Sequence, residues 1–198
     1  NFMKKLITSI IFSKLVSSIF VFLYKLFFFK GKIHNVKISK NLFIDNKVFL
    51  QLIIGKYESF EVYLIKKYLL NDIDVVDLGD SLGITSKEVE KISNKKHIIV
   101  EINPELIENL KLNFIKKNQI IYNYAIYSKS NDFVNLDLGF TNKGSKISLI
   151  PEESKPNVET KSLSDLLSEN QIDDYFLISD IEGAEAFFIH DPVSLVNC

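Results

Sequence analysis

The stretch 77–83 constrains the fold of this chain more than any other part of the sequence. Residues 73–76 form a largely apolar run that predicts a buried strand, and residues 84–90 have the spacing of a helix. The turn between them contains Gly79 and Gly83. A strand that ends in an acid and turns through glycines into a helix is typical of nucleoside-binding corners in α/β proteins.

The residues of this turn indicate the kind of nucleoside that it suits. A dinucleotide-binding corner has a third glycine, because the pyrophosphate must approach the backbone and the N-terminus of the helix closely. Here there are two glycines, and Asp77 and Asp80 place negative charge where a phosphate would lie. We therefore expect a ligand that lacks phosphate and has a cationic end. S-adenosylmethionine, with its ammonium and sulfonium groups, is such a ligand.

From residue 57 onward, strand and helix patterns alternate, which predicts a parallel sheet with right-handed crossovers. The predicted strands are residues 73–78, 97–100, 120–126 and 175–180, with helices at 58–69, 84–93, from 103 and at 163–168, and an inserted hairpin at 133–138 and 146–150. Ligands of such sheets bind beyond the carboxyl ends of the strands. Three of the strands end in an acid, and we expect one site formed by Asp77, Glu101 and Asp180.

Acids and one amide near the strand ends are the candidate site residues. Glu101 lies 24 positions after Asp77, near the spacing of about 20 residues typical of an acid that binds ribose hydroxyls. Asn123, in the third strand, is a candidate for contact with the adenine region. The end of the fourth strand carries three carboxylates within six residues, on Asp180, Glu182 and Glu185. The last two are also consistent with acids favoured at the start of a helix by its dipole.

The composition excludes several classes of function. Before Asp45 the chain has eight lysines and no acid, whereas from Asp45 onward it has sixteen lysines, twenty-five acids and no arginine. An acidic body without arginine suits a phosphate backbone poorly, so we expect no nucleic-acid partner. The single cysteine, Cys198, excludes a disulfide framework and favours a reducing, cytoplasmic compartment. No histidine–carboxylate spacing indicates a metal site.

Residues 1–56 precede the alternating pattern and begin with a basic, apolar segment. Over residues 6–29, helical spacing predicts a helix with a narrow polar stripe on one side and apolar residues on the other. The polar stripe consists of Lys14, Ser18 and Lys25. The apolar residues that lie away from it include Phe12, Leu15, Ile19 and Leu23. The longest run without charge, residues 15–24, is well short of the roughly 20 residues that span a bilayer. Three interpretations stay open: a peripheral anchor on anionic lipid through residues 4–32, a helix packed on the main domain or a second subunit, and a membrane span or uncleaved signal.

Five segments between about residue 57 and residue 186 share one family pattern: residues 75–83, 100–104, 123–126, 162–167 and 180–185. In these segments the chain resembles the FkbM-type S-adenosylmethionine-dependent methyltransferases. The resemblance implies a Rossmann-like class I methyltransferase sheet with helices on both faces, and O-methylation of a hydroxyl on a sugar, glycan or natural product. Asp77, Gly79, Gly83 and Glu101 match the cofactor motif of the family, and Asp180, Glu182 and Glu185 match its acidic block.

The chain also departs from the family in several places. Ser81 stands where asparagine is usual and Ile178 where lysine is usual, and the sequence ends at Cys198, soon after the fourth predicted strand. We therefore expect residues 57–198 to form a methyltransferase domain that is incomplete at its C-terminus. One alternative is a non-catalytic, membrane-associated fragment of such an enzyme. A nicotinamide-dependent oxidoreductase is disfavoured because GxGxxG is absent and the pair Tyr63 and Lys67 lies upstream of the turn.

Overall fold

The computed structural model describes residues 14–39, 42–137, 146–148, 157–181, 183–189 and 192–198, which form a mixed α/β fold. The helices are α1 (Lys14–Phe27), α2 (Asn46–Ile53), α3 (Ser59–Tyr68), α4 (Ile84–Ile92), α5 (Pro104–Asn113), α6 (Leu163–Glu169) and α7 (Pro192–Leu195), with a 3₁₀ turn at Ala184–Phe187. The strands are β1 (Lys32–Ile33), β2 (Val36–Lys37), β3 (Asp74–Leu78), β4 (His97–Val100), β5 (Gln119–Tyr122), β6 (Ala125–Ile126), β7 (Phe133–Asp137), β8 (Lys146–Ser148), β9 (Asn157–Lys161) and β10 (Tyr175–Ser179).

A four-stranded parallel sheet with the order β10-β3-β4-β5 lies at the centre of the body. Val76 of β3 pairs with Ile98 on one side and with Leu177 on the other. The chain thus builds outward from β3 to β5 and then returns across β3 to add β10 on the opposite side. The predicted parallel sheet is confirmed, and the order of its strands reverses between β3 and β10.

The side chains of β3 alternate between two buried layers. Val76 and Leu78 face a cluster that includes Leu163 and Leu166 of α6. Val75 points to the other face, where it packs in a cluster with residues of α3 and α4. Because both faces are covered, the strands are almost continuously apolar rather than alternating with polar residues, as is typical of parallel sheets.

The predicted third strand, residues 120–126, is wrong in one respect, because the structure divides it between two sheets. β5 ends at Tyr122, and β6 pairs in parallel with β9 in a second sheet of order β6-β9-β7-β8. The break lies at Asn123, whose side-chain amide donates to the backbone carbonyls of Glu101 and Ile102 and so turns the chain away from the first sheet. The predicted hairpin is confirmed for β7 and β8, while residues 138, 149 and 150 lie outside the described residues.

The described part of the N-terminal segment packs on the body. One buried cluster runs from Val21 of α1 and Phe49 of α2 to Leu82 and Leu106. The side chain of Asn113 accepts a hydrogen bond from the backbone N–H of Lys37 at 2.8 Å and donates to the carbonyl oxygen of the same residue at 2.9 Å. In the part of the chain that the structure describes, none of the helices combines the length and the apolar character needed to cross a bilayer.

Candidate ligand-binding site at the end of the parallel sheet

A cavity of about 420 Å³ opens beyond the carboxyl ends of β3, β4 and β10. Its size is that of a small-molecule site, and it lies where the strand order reverses, which is where open α/β sheets bind their ligands. The described residues around it include Gln51, Lys56, Tyr57, Glu58, Glu61, Gly79, Ser81, Glu101, Ile102, Asn103, Leu106, Tyr124, Ile126, Asp180 and Ala184. The N-terminal segment therefore contributes part of the wall of this cavity.

The wall of the cavity is acidic. Among its described residues, four carry a carboxylate and one carries an ammonium group; they are Glu58, Glu61, Glu101, Asp180 and Lys56. Carboxylates that share a half-enclosed space repel one another and repel an anion, and they attract a cation into the same space. The cavity thus disfavours phosphate-bearing ligands and favours ligands with positive charge.

Glu101 is fixed at the inner wall of the cavity by backbone donors. Its Oε2 accepts from the N–H of Ser81 at 2.9 Å, and its Oε1 accepts from the N–H of Asn103 at 2.8 Å. Burial raises the pKa of this carboxyl, and these backbone hydrogen bonds act in the opposite direction. Each oxygen has a second lone pair, so the carboxylate can still accept hydrogen bonds from ligand hydroxyls. This geometry suits a ribose.

The turn after β3 is shaped by backbone conformations that favour glycine. Gly79 has a φ of +88°, and a Cβ atom at this position would overlap the backbone carbonyl oxygen of Asp180. This close approach brings the ends of β3 and β10 together beneath the cavity. Ser81 also has a positive φ of 52°, and its hydroxyl lies 3.0 Å from that of Tyr57. The turn is thus held by contacts on both sides.

Asp77 lies behind the cavity wall and does not line it. Its Oδ2 lies 3.1 Å from the hydroxyls of both Thr85 and Ser86, and the single Thr85 proton is shared with Asp80, whose Oδ1 lies 2.7 Å from the same hydroxyl. Of the three strand-end acids, Glu101 and Asp180 line the cavity, whereas the carboxylate of Asp77 is held by the first turn of α4. Direct contact of Asp77 with a cofactor stays a prediction; the geometry gives it the role of anchoring the turn to α4.

Gly83 and Asn123 support the cavity from outside. Gly83 has a φ of +89°, and a Cβ atom there would lie 2.8 Å from the ring of Phe114. Asn123 uses its amide group to hold the carbonyls of Glu101 and Ile102 at 2.8 and 2.9 Å. Both residues thus fix the positions of cavity residues, and their predicted contacts with the cofactor stay predictions.

The acidic block divides into residues with different surroundings. Asp180 lines the cavity, and its backbone N–H donates to the carbonyl of Leu78 at 2.9 Å. Glu185 accepts from the N–H groups of Ile181 at 3.0 Å and Gly183 at 2.8 Å, so it closes the turn that carries Asp180. Glu182 lies outside the described residues. The catalytic roles predicted for these acids stay predictions, and the geometry favours Asp180 over Glu185 for contact with a substrate.

Tyr57 and Glu58 line the cavity but are not among the predicted site residues. Glu58 has a positive φ of 50°, and its Oε2 is shielded from solvent without a hydrogen-bond partner among the described residues. Burial, and then the charge of Asp77, raises the pKa of Glu58 well above its usual value. Both residues lie where the family resemblance begins, and this was the signal that could have pointed to them. The spacing of residues 58–69 predicts only a helix at this position.

Comparisons with family models, with curated proteins and with solved structures find no match for this chain. The interpretation of the site therefore depends on its geometry. Its three main elements are the cavity at the strand reversal, the oriented carboxylate of Glu101 and the shielded carboxylate of Glu58.

The buried pair Asp77 and Asp80 predicts that the free energy of unfolding falls as the pH rises toward neutrality. Burial raises the pKa of Asp77 from 3.8 to about 7, so the folded protein keeps a proton that the unfolded chain has already lost. Between these values a rise in pH makes Asp77 favour the unfolded chain, by up to about 1.4 kcal/mol per pH unit, and below the unfolded histidine pKa the buried His97 acts in the opposite direction. We expect Asp80→Asn to make the dependence less steep between about pH 6.5 and about pH 7.5, where Asp77 still titrates and His97 does not, measured by denaturant titration.

Two features of the chain make this measurement specific. Burial lowers the pKa of His97 to about 3, so its contribution to stability is lost as the pH falls below the unfolded value, outside the chosen window. The exposed Asp72 provides a matched control, and Asp72→Asn should keep the pH dependence of the parent protein. If the free energy of unfolding of Asp80→Asn depended on pH as steeply as that of the parent protein, the proposal that Asp77 and Asp80 titrate together would be contradicted.

Proposed function

We propose that this protein is an S-adenosylmethionine-dependent methyltransferase that acts on a hydroxyl of a sugar, glycan or natural product. The observation that carries the proposal is the carboxylate of Glu101, oriented by two backbone N–H groups at an acidic cavity where the strand order reverses. Read from β5 to β10, the order β5-β4-β3-β10 corresponds to the 3-2-1-4 strands of a doubly wound sheet, which is compatible with a Rossmann-like class I methyltransferase fold. The acceptor class comes from the family resemblance alone.

The residues around the cavity fit the parts of this cofactor. Glu101 can accept hydrogen bonds from the two ribose hydroxyls. The carboxyl group of Glu58 lies at the cavity wall, where burial raises its pKa, and a bound ammonium group would favour its ionised form. Ile102, Leu106 and Tyr124 supply apolar and aromatic surface for the adenine. The backbone at Gly79 lets the ligand lie close to the turn, since no side chain intervenes.

The chemistry divides between the cofactor and the chain. When bound, S-adenosylmethionine supplies an electrophilic methyl group on its sulfonium. The residues of the chain orient the reactants and exclude water, and such positioning contributes up to about 7–11 kcal/mol in favourable cases. The carboxylate of Asp180, at the cavity, would hold the acceptor hydroxyl and accept its proton. Glu185 fixes the turn on which this carboxylate stands.

Isothermal titration calorimetry with a panel of nucleosides tests the proposal. We expect S-adenosylmethionine and S-adenosylhomocysteine to bind at least about 100-fold more tightly than ATP or NAD⁺, because the acidic wall repels phosphate, and this ratio corresponds to about 2.7 kcal/mol. Transfer of a labelled methyl group from the cofactor to a panel of glycan acceptors would then establish the activity. Preferential binding of NAD⁺ would contradict the proposal, and cofactor binding without transfer to any acceptor would leave a binding protein in place of an enzyme.

A further inference from the structure

Helix α1 turns an apolar face toward solvent. Between residues 16 and 27 the exposed side chains are apolar apart from Lys25, within the part of α1 whose side chains the structure describes. Phe22 is 65% exposed and Leu26 is 62% exposed. The outer apolar face, as we define it here, consists of Val16, Ile19, Phe22, Leu23, Leu26 and Phe27.

The polar side of the same helix packs against the protein. Ser17 and Val21 are buried, and the hydroxyl of Ser18 accepts a hydrogen bond from the side chain of Asn46 in α2 at 3.2 Å. The ammonium group of Lys25 lies 4.5 Å from the centre of the Phe49 ring. A helix on the surface of a protein in water normally has the opposite arrangement. We therefore expect the outer apolar face to contact a membrane or another protein rather than bulk water.

The exposed charged residues that follow α1 in the chain, as far as residue 39, are positive. Lys30, Lys32 and Lys37 are exposed, and the sequence has no acid before Asp45. A surface that combines an apolar helix face with lysines is complementary to a bilayer of anionic lipid, because the apolar side chains enter the headgroup and acyl boundary while the lysines meet lipid phosphates. A symmetric pairing with a second copy would instead bring the same lysines of both copies together.

We propose that the outer apolar face of α1 inserts into the surface of a membrane that contains anionic lipid. The opposite side of α1 packs on the body of the protein, so the helix lies along the interface with its outer apolar face toward the lipid. α1 packs on α2, and Gln51 of α2 lines the cavity. The cavity is thereby held at a fixed position relative to the membrane surface. This inference does not depend on the proposed methyltransferase function.

A tryptophan placed in this face reports on insertion directly. The chain contains no tryptophan, so Phe22→Trp in the full chain provides a single reporter at an exposed position. We expect its emission to shift to the blue with vesicles of phosphatidylcholine containing about one quarter phosphatidylglycerol, and the shift to weaken at high salt. Vesicles of phosphatidylcholine alone should give a much smaller shift, because the lysines gain nothing there.

Charged substitutions then test whether the outer apolar face is the part of the protein that contacts the membrane. We expect the double variant Phe22→Glu and Leu26→Glu to lower co-sedimentation with the anionic vesicles about tenfold or more, since carboxylates replace two apolar side chains that would enter the bilayer. Ile115→Glu, at a site 82% exposed elsewhere on the protein, is the matched control and should bind like the parent. Circular dichroism and thermal unfolding would establish that all variants fold.

Three outcomes would overturn the inference. The first is absence of binding to every vesicle. The second is equal binding of the parent and the double variant to the anionic vesicles. The third is a dimer in analytical ultracentrifugation that the double variant abolishes while vesicle binding is absent, which would assign the face to a second copy of the chain.

Discussion

Gly79→Ala should destabilise the fold by about 3 kcal/mol or more, the largest effect on stability that we expect from a single added methyl group. Two costs act together at this position. The φ of +88° is strained for any residue with a Cβ atom, and that atom would overlap the backbone carbonyl of Asp180. Backbone cannot move aside as a flexible side chain can, so β3 and β10 would have to separate at the floor of the cavity.

A variant at a second glycine distinguishes the cost of the positive φ from the cost of the overlap with Asp180. Gly31 has a similar φ of +76°, but a Cβ atom there would meet nothing within 4 Å. Gly31→Ala should therefore lose only the conformational term, about 1 kcal/mol, which corresponds to a Tm lower by about 3 °C for a chain of this size. Differential scanning calorimetry should show Gly79→Ala lower by about 10 °C. Equal Tm values for the two variants would contradict the close approach of the strands.

The central sheet could be predicted because its signals are local. Each strand is an apolar run that ends at a polar residue, and Asn103 followed by Pro104 marks the start of α5, where Asn103 accepts from the N–H of Glu105 as an N-cap. Parallel pairing then follows from the alternation of strands and helices. The position of Glu101 at the site also follows, since the carboxyl ends of parallel strands meet at one edge.

The parts that could not be predicted depend on where side chains point. The sequence places Asp77 and Glu101 alike near strand ends, but only packing decides that the hydroxyls of α4 capture Asp77 while two backbone N–H groups orient Glu101. The split after Tyr122 depends on the side chain of Asn123 binding carbonyls of another strand end. Glu58 was missed because the residues around it predict only a helix, and its place at the cavity depends on how that helix packs on the sheet.

Replacing Glu101 should have the largest effect on ligand binding. Glu101→Ala removes the acceptor proposed for two ribose hydroxyls and also leaves the N–H groups of Ser81 and Asn103 without their partner. Hydrogen bonds to a charged group contribute about 1.5–3 kcal/mol each, so we expect the affinity for S-adenosylmethionine to fall at least about 100-fold in calorimetry. Some loss of stability should accompany it, because buried donors are left unsatisfied.

A loss of binding could also follow from a distorted turn, and two further variants distinguish the causes. Glu101→Gln retains the shape of the side chain but not the charge, and its amide can satisfy only one of the two backbone donors. If Glu101 holds the ribose, adenosine should lose affinity for Glu101→Gln by about the same factor as S-adenosylmethionine, whereas the exposed control Glu108→Gln should bind both like the parent. Parental affinity in Glu101→Gln and Glu101→Ala alike would remove Glu101 from the site. Because this carboxylate carries the proposed function, the cofactor assignment would then have to be abandoned with it.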